Sequence, residues 1–185
     1  LRYGVSRGVD AIHNTDFLSD ALKTDSRAKK FRYYLDLHIE QFEEKHLLDT
    51  YIFCLSEHTN PDGILSMWRG YGGDGNGAAL LFDTSKIEPI ETSPLILAKV
   101  HYGTDEERIE YTNNIVKKLA RIISEKSISD DDLYYAAYYF FERIKMFALF
   151  SKHNGFAEEQ EWRVVYFSER DTDNKLKNML GYSIG

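Results

Sequence analysis

The sequence predicts an α+β fold, with a small mixed, mostly antiparallel sheet flanked by several helices. Short runs of β-branched and aromatic residues alternate with segments in which apolar residues have helical spacing. Hydrophobic residues make up 43% of a chain of 185 residues, which is enough to build a core. No internal repeat or low-complexity linker interrupts the chain. We therefore expect a single α+β domain over residues 1–185.

Composition and charge exclude several classes of protein. Aromatic residues make up 14% of the chain, which is incompatible with intrinsic disorder. The net charge of −7 argues against a general phosphate-binding surface, although it leaves a local nucleic-acid site open. The single Cys54 permits no internal disulfide, and neither a signal peptide nor a long apolar span is evident. We therefore expect a cytoplasmic protein that has no membrane partner.

Helices are predicted where apolar residues recur every three or four positions. The predicted helices are a short one capped by Asn14-Thr15-Asp16 and ending at Leu22, then Ala28 to Leu48, Ile64 to Tyr71, Asp105 to Lys126, and Asp130 to about Phe150. We expect the second to be amphipathic and to pack on a sheet, and Asp62 to cap the third. The last is apolar nearly all round, which predicts the most buried helix.

Strands are predicted at Thr50–Glu57, Ala78–Phe82, Leu95–Tyr102 and within Phe156–Phe167. The first is apolar enough to be buried, and it ends in polar residues. Between helix and strand, Gly72 to Gly77 contains four glycines in six residues, which predicts a turn that needs positive φ or close backbone contact. A phosphate loop is rejected because the Lys-Ser/Thr pair is missing and a strand follows.

The run Phe156–Phe167 organises the prediction of function. Side chains alternate between the faces of a strand, so Glu159, Glu161 and Arg163 would share one face. If this strand pairs with the first, Ser56 would lie close to the two carboxylates. A carboxylate beneath a sugar can hold a ribose hydroxyl and stabilise positive charge at the anomeric carbon. The alternative is an edge strand whose charged face is in water.

Other candidate sites have simpler interpretations. The six histidines are scattered without zinc-ligand spacing, so we expect no metal site. Cys54 lies in an apolar strand and is expected to be an inert core residue. A tyrosine-rich wall could stack nicotinamide, but the tyrosines at 134, 135, 138 and 139 are better read as helix core and surface. Arg69 lies beside the glycine turn and could meet a phosphate or Glu161.

Three motifs in this order resemble a bacterial family known as domain of unknown function 2971. They are Phe53 to Glu57, then Leu65 to Gly72 with Gly77 and Phe82-Asp83, then Lys152-His153 with Phe156 and Glu159 to Arg163. The resemblance covers roughly residues 50–167, and Trp-Arg after the Glu-x-Glu pair is its most specific part. Family members usually begin with a His-Tyr-Thr-like strand. The segment that starts at Leu1 resembles the stretch after it, so we expect an upstream segment outside this chain.

The family looks like a remote relative of ADP-ribosyltransferases, which split NAD at the nicotinamide–ribose bond. This resemblance implies that NAD is the substrate and that Glu161 is the catalytic glutamate, with Glu159 orienting the acceptor. It implies a nucleotide site supported by Ser56, to which we add Arg69 and Tyr71. A toxin or phage-defence setting is expected, and the acceptor is left open between protein, nucleic acid, small molecule and water.

Two alternatives belong to other functional classes. The first is a non-catalytic binding or sensing domain, in which Glu161, Arg163 and Arg69 form structural ion pairs. The second is a nuclease-like metal site that uses Glu159, Glu161 and Asp83, although the spacing of these acidic residues suits it poorly.

Overall fold

The computed structural model describes Val5 and residues 16–181, except residues 74, 89 and 127. Its α-helices are α1 (Asp16–Leu22), α2 (Asp25–Lys45), α3 (Leu65–Tyr71), α4 (Asp105–Lys126) and α5 (Leu133–Leu149). Its strands are β1 (Tyr51–Ser56), β2 (Leu95–Lys99), β3 (His101–Gly103), β4 (Ser151–His153) and β5 (Glu161–Tyr166). The predicted α+β class is confirmed.

The described residues fall into two compact units. The first comprises those of Leu1–Leu47 and Gly103–Ser151, and the second those of Leu48–Tyr102 and Lys152–Gly185. The first unit contains helices α1, α2, α4 and α5. The second contains helix α3 and the three-stranded sheet. The single-domain assignment stays a prediction.

Helix-on-helix packing builds the first unit. Helix α2 packs on α5, and α1 packs on both α2 and α4. Phe31 of α2 is fully buried and meets Phe140 of α5 edge to face, with ring centroids 6.5 Å apart. The expectation that α2 packs on a sheet is therefore wrong. Its apolar stripe shows which face is buried, but the stripe is the same whether a helix or a sheet covers it.

The helix boundaries follow local chemistry. Helix α2 starts at Asp25, three residues before the predicted start, because the Thr24 side chain accepts a hydrogen bond from the Arg27 N–H (3.2 Å). The predicted bounds of α4 are confirmed. Helix α5 buries more residues than α2 or α4, as predicted. Tyr135 and Tyr139 on it are 60% and 67% exposed, as expected of residues on the helix surface.

The second unit is organised by β5, the central strand of an antiparallel sheet with the order β1-β5-β2. Ser56 lies opposite Glu161 and Cys54 opposite Arg163, so the pairing on which the expected nearness of Ser56 depended is observed. β1 is not the buried strand that we predicted, since Phe53 is 54% exposed and Cys54 is exposed. An apolar run predicts strand pairing, but it does not show whether a second layer covers the strand.

Two other strand predictions require correction. Residues 78–82 form no strand, and Leu80 and Leu81 are 83% and 70% exposed. The run Leu95–Tyr102 is divided at Val100, whose N–H donates to the Glu161 carbonyl (2.9 Å). β3, on the far side of this break, pairs with β4 in a separate two-stranded sheet.

The glycine turn is confirmed. Gly73 and Gly75 have positive φ angles of 39° and 86°, and a Cβ at Gly77 would lie 2.6 Å from Gly72 Cα. The predicted cap of α3 is wrong, because Ile64 occupies the N-cap position and makes no side-chain cap bond. The Asp62 carbonyl instead accepts a hydrogen bond from the Trp68 indole N–H (2.9 Å).

Asp171 organises the turn after β5. Its side chain is 6% exposed and accepts the N–H groups of Lys175, Leu176 and Lys177 at 2.9–3.0 Å, with the Tyr166 hydroxyl at 3.0 Å. Burial opposes ionisation, but the N–H groups of Lys177 and Leu176 outweigh it and hold the pKa of Asp171 below its ordinary value. Burial and the neighbouring carboxylate raise the pKa of Tyr166 to about 12. One ionised carboxylate therefore holds a whole turn against the sheet.

We expect Asp171→Asn to lower the melting temperature at neutral pH, because an amide nitrogen replaces one of the two accepting oxygens. The matched control is Asp173→Asn, since Asp173 is 67% exposed and pairs only at the surface with Lys175 (3.1 Å). Thermal unfolding at pH 7 measures both variants. Equal melting temperatures for Asp171→Asn and Asp173→Asn would contradict the organising role of Asp171.

Among the described helices, none combines the length and the apolar character that a membrane span requires.

Candidate functional site

A turn places the acidic residues at the start of β5. Residues Asn154–Glu159 form a 3-10 turn, and Gln160 then takes a left-handed conformation with φ 45° before the strand begins at Glu161. Glu159 therefore does not lie on the strand, and the prediction that it shares a face with Glu161 and Arg163 by alternation is wrong. Glu161 and Arg163 do share one strand face, as predicted.

The turn nevertheless returns Glu159 to the same place, where four charged side chains form a carboxylate–cation cluster (Lys152, Glu159, Glu161 and Arg163). Lys152 Nζ lies 2.6 Å from Glu159 Oε2 and 3.1 Å from Glu161 Oε2. Arg163 Nε donates to Glu161 Oε1 at 2.7 Å, and its Nη2 lies 3.3 Å from Oε2. Two carboxylates and two cations thus balance in charge at one end of the sheet.

Burial makes the cluster electrostatically strong. The side chain of Glu161 is 5% exposed and that of Arg163 is 14% exposed. Burial raises the pKa of Glu161, but hydrogen bonds from Arg163, Cys54 and Lys152 outweigh it and lower the pKa to about 2. The ion pairs likewise outweigh burial in raising the pKa values of Lys152 and Arg163. Glu161 is therefore fully ionised at neutral pH.

This low pKa predicts a pH dependence of folding. The pKa of Glu161 is about 2 in the folded chain against an ordinary 4.5, so its contribution to stability is present above pH 4.5 and is lost as the pH falls toward 2. After allowance for solvent screening we expect a loss of ~1–2 kcal/mol in the free energy of unfolding over this window. Urea unfolding at several pH values measures it. If the free energy of unfolding changed equally with pH in wild type and in Glu161→Gln over this window, the low pKa of Glu161 would be contradicted.

The strand β1 supplies the facing side chains. Cys54 is exposed and hydrogen-bonded to Glu161, so the prediction of a core cysteine is wrong, because β1 is an edge strand. Partial desolvation and the Glu161 carboxylate raise the pKa of the Cys54 thiol, which disfavours a thiolate nucleophile. The Ser56 hydroxyl donates to the Glu159 carbonyl. Ser56 therefore supports the turn that carries Glu159.

Backbone contacts fix the cluster further. The Glu57 N–H donates to the Gln160 carbonyl (3.0 Å), and the Glu161 N–H donates to the Tyr102 hydroxyl (2.9 Å). Both bonds are made by the peptide group that joins the left-handed Gln160 to Glu161. The start of β5 is thus held by Glu57, the residue after β1, and by Tyr102 of β3.

Arg69 and Tyr71, which we expected to bind the nucleotide, lie on helix α3. This helix packs against the 3-10 turn Asn154–Glu159, and both side chains are exposed, Tyr71 by 75%. Within the described part of the chain, Arg69 makes no ion pair or hydrogen bond, and the predicted contact between Arg69 and Glu161 is absent. Their role in binding stays a prediction.

Two buried polar atoms belong to residues on or next to the elements that adjoin the 3-10 turn. Gln160 Oε1 follows the 3-10 turn and Ser66 Oγ belongs to the helix that packs on it, and neither has a hydrogen-bond partner among the described residues. Buried polar atoms of this kind are satisfied by a ligand or by water.

The structure also gives Lys152 and Tyr102 contacts that sequence reasoning missed. Lys152 stood in the family motif. The chain between Lys152 and Glu159 passes from a strand into a 3-10 turn, so their spacing in sequence did not indicate that Lys152 bridges the two carboxylates. Tyr102 was one of 13 tyrosines, which hid its contact with the Glu161 backbone.

No group of three or more His, Cys, Asp or Glu side chains in the described part of the chain could hold a metal ion. Asp83, which the nuclease-like alternative requires, accepts hydrogen bonds from Ser85 N–H (3.1 Å) and Ser85 Oγ (2.5 Å) and caps the 3-10 turn Thr84–Lys86. The metal-nuclease interpretation therefore has no support from the geometry.

The fold and the site together define an α+β protein with a buried carboxylate–cation cluster at the start of a central strand. A family model described as "Protein of unknown function (DUF2971)" matches residues 67–164, which is more than half of the chain. The chain belongs to this family, and the resemblance drawn from its motifs is confirmed. Neither a curated protein nor a solved structure matches the chain.

Proposed function

We propose that this protein is an ADP-ribosyltransferase-like enzyme that cleaves the nicotinamide–ribose bond of NAD. The observation that carries the proposal is the Glu161 carboxylate, which is held ionised at the start of β5 opposite Ser56. A fixed negative charge stabilises positive charge that develops on a ribose ring, and the stabilisation is strongest where water is excluded. Glu161 is 5% exposed and so meets this condition.

In the proposed reaction the bond between the ribose anomeric carbon and the nicotinamide nitrogen breaks, and its electron pair leaves with nicotinamide. Glu161 holds a ribose hydroxyl and stabilises the oxocarbenium-like transition state. Glu159 orients the acceptor, whose lone pair forms the new bond to the anomeric carbon, and the proton that the acceptor loses passes to water. The unpartnered Gln160 Oε1 and Ser66 Oγ offer further polar contacts to the nucleotide. Arg69 and Tyr71, exposed on the adjacent helix, are the proposed contacts to phosphate and nicotinamide.

A second function, a non-catalytic binding or sensing domain, is favoured by a different observation. Both oxygens of Glu161 are occupied by cations, which is the arrangement of a structural ion pair. In that case the cluster only holds the start of β5 in place.

The experiment that separates the two is to incubate the full-length protein with NAD and analyse the products by chromatography. We expect equal amounts of nicotinamide and of free or transferred ADP-ribose. If NAD stayed intact after prolonged incubation with folded protein, the proposal of enzyme activity would be rejected. The proposal of a non-catalytic binding or sensing domain would then stand.

We place this activity in the cytoplasm, in a toxin or phage-defence setting. The support is the chemistry itself, because NAD cleavage depletes a cofactor on which the whole cell depends.

A further inference from the structure

Lys152 forms ion pairs with both Glu159 and Glu161, and the two pairs differ in length. Its Nζ is 2.6 Å from Glu159 Oε2 but 3.1 Å from Glu161 Oε2. It also lies 4.8 Å from the centroid of the Phe156 ring, which belongs to the same 3-10 turn as Glu159. Two of its contacts are therefore to the turn and one is to the strand.

The two oxygens of Glu161 are also unequal. Oε1 receives the short bond from Arg163 Nε at 2.7 Å. Oε2 receives longer contacts from Lys152 at 3.1 Å and Arg163 Nη2 at 3.3 Å, and the Cys54 thiol also hydrogen-bonds this carboxylate. Since weaker partners are displaced more easily, Oε2 is the oxygen that a ligand hydroxyl can take.

Arg163 cannot give up Glu161 as easily as Lys152 can. It is two residues along the same strand, and its planar guanidinium contacts both oxygens. Lys152 has a flexible stem and already has its shorter bond with Glu159. If Lys152 moves away from Glu161, it stays paired with Glu159, and Glu161 stays paired with Arg163. No charge in the cluster is then isolated.

We propose that Lys152 is a positioning residue that frees Glu161 Oε2 for the ribose hydroxyl by moving entirely onto Glu159. This inference rests on the proposed function and deepens it. It assigns Glu159 a second task, since Glu159 must draw Lys152 away for the substrate to bind. In the absence of Glu159, Lys152 would stay on Glu161 and compete with the ribose.

The test is a double-mutant cycle on the binding of ADP-ribose, which carries the ribose hydroxyls but has no nicotinamide bond to cleave. The variants are Glu159→Gln, Lys152→Met and the two combined, and calorimetry gives each dissociation constant. We expect Glu159→Gln to weaken binding about tenfold when Lys152 is present and to have no effect in the Lys152→Met background. Lys152→Arg should keep the dependence on Glu159, because a cation is still shared.

Lys99→Met is the matched control, since Lys99 of β2 pairs with Glu57, the residue after β1, at 2.6 Å and makes no ion pair with Glu161. We expect it to leave ADP-ribose binding unchanged. An equal loss from Glu159→Gln in both backgrounds would overturn the role of Lys152 while the enzyme proposal stands. A wild-type protein that neither binds ADP-ribose nor releases nicotinamide would instead reject the proposed function, and the role of Lys152 with it.

Discussion

We expect the replacement of Glu161 by Gln to lower the proposed release of nicotinamide from NAD by about a hundredfold or more. Glutamine has the same size and still accepts a hydrogen bond from Arg163, but it has no charge to place beneath the ribose. The carboxylate is ionised in the wild type because its pKa is about 2, so the variant removes a full negative charge at every working pH. The loss should appear mainly in kcat, since the charge acts on the transition state.

The matched control for this prediction is Glu57→Gln. Glu57 also pairs with a lysine, at 2.6 Å, and lies one residue beyond Ser56, but its side chain is 38% exposed. We expect near-normal nicotinamide release from this variant. Circular dichroism and thermal unfolding should accompany both, so that a folding defect is recognised. A folded Glu161→Gln protein with wild-type turnover would exclude Glu161 as the catalytic glutamate.

Arg163→Met produces the largest loss of stability that we expect from the cluster, about 2–4 kcal/mol in the free energy of unfolding. The substitution leaves a carboxylate that is 5% exposed without its strongest partner, and Lys152 compensates only in part. Adding Glu161→Leu removes the buried charge, so we expect the double variant to recover much of the loss. Urea unfolding at pH 7 measures both.

Lys99→Met serves as control here too, because its partner Glu57 stays in water, and we expect a change of about 0–1 kcal/mol. A double variant Glu161→Leu, Arg163→Met that is less stable than Arg163→Met alone would contradict the account. It would mean that packing of the two long side chains, not charge, holds the start of β5.

Sequence reasoning predicted the parts of the fold that local chemistry determines. Helix α4 has acidic residues in its first turn and apolar residues at helical spacing, and its bounds are as predicted. The strand predicted at 78–82 failed because a strand forms only when it pairs with another, and the local sequence does not determine that pairing. The burial of β1 was wrong for a similar reason, since its sequence does not reveal that it lies at an edge.

The candidate site was predicted in part. Alternation along β5 correctly put Glu161 and Arg163 on one face. The nearness of Ser56 was expected only if β1 paired with β5, and the structure shows that pairing. The position of Glu159 could not be predicted, because it depends on the left-handed conformation of Gln160. Glutamine residues rarely adopt this conformation, and nothing in the neighbouring sequence indicates it. The contact of Lys152 with both carboxylates depends on that turn, so it could not be predicted either.

The most direct test of the central claim is to titrate NAD into the full-length wild-type protein and to measure nicotinamide in the same samples. We predict saturable binding, with nicotinamide appearing at a rate that follows the occupied fraction. A folded protein that shows neither binding nor nicotinamide would contradict the claim, and the cluster around Glu161 would then be part of the architecture alone.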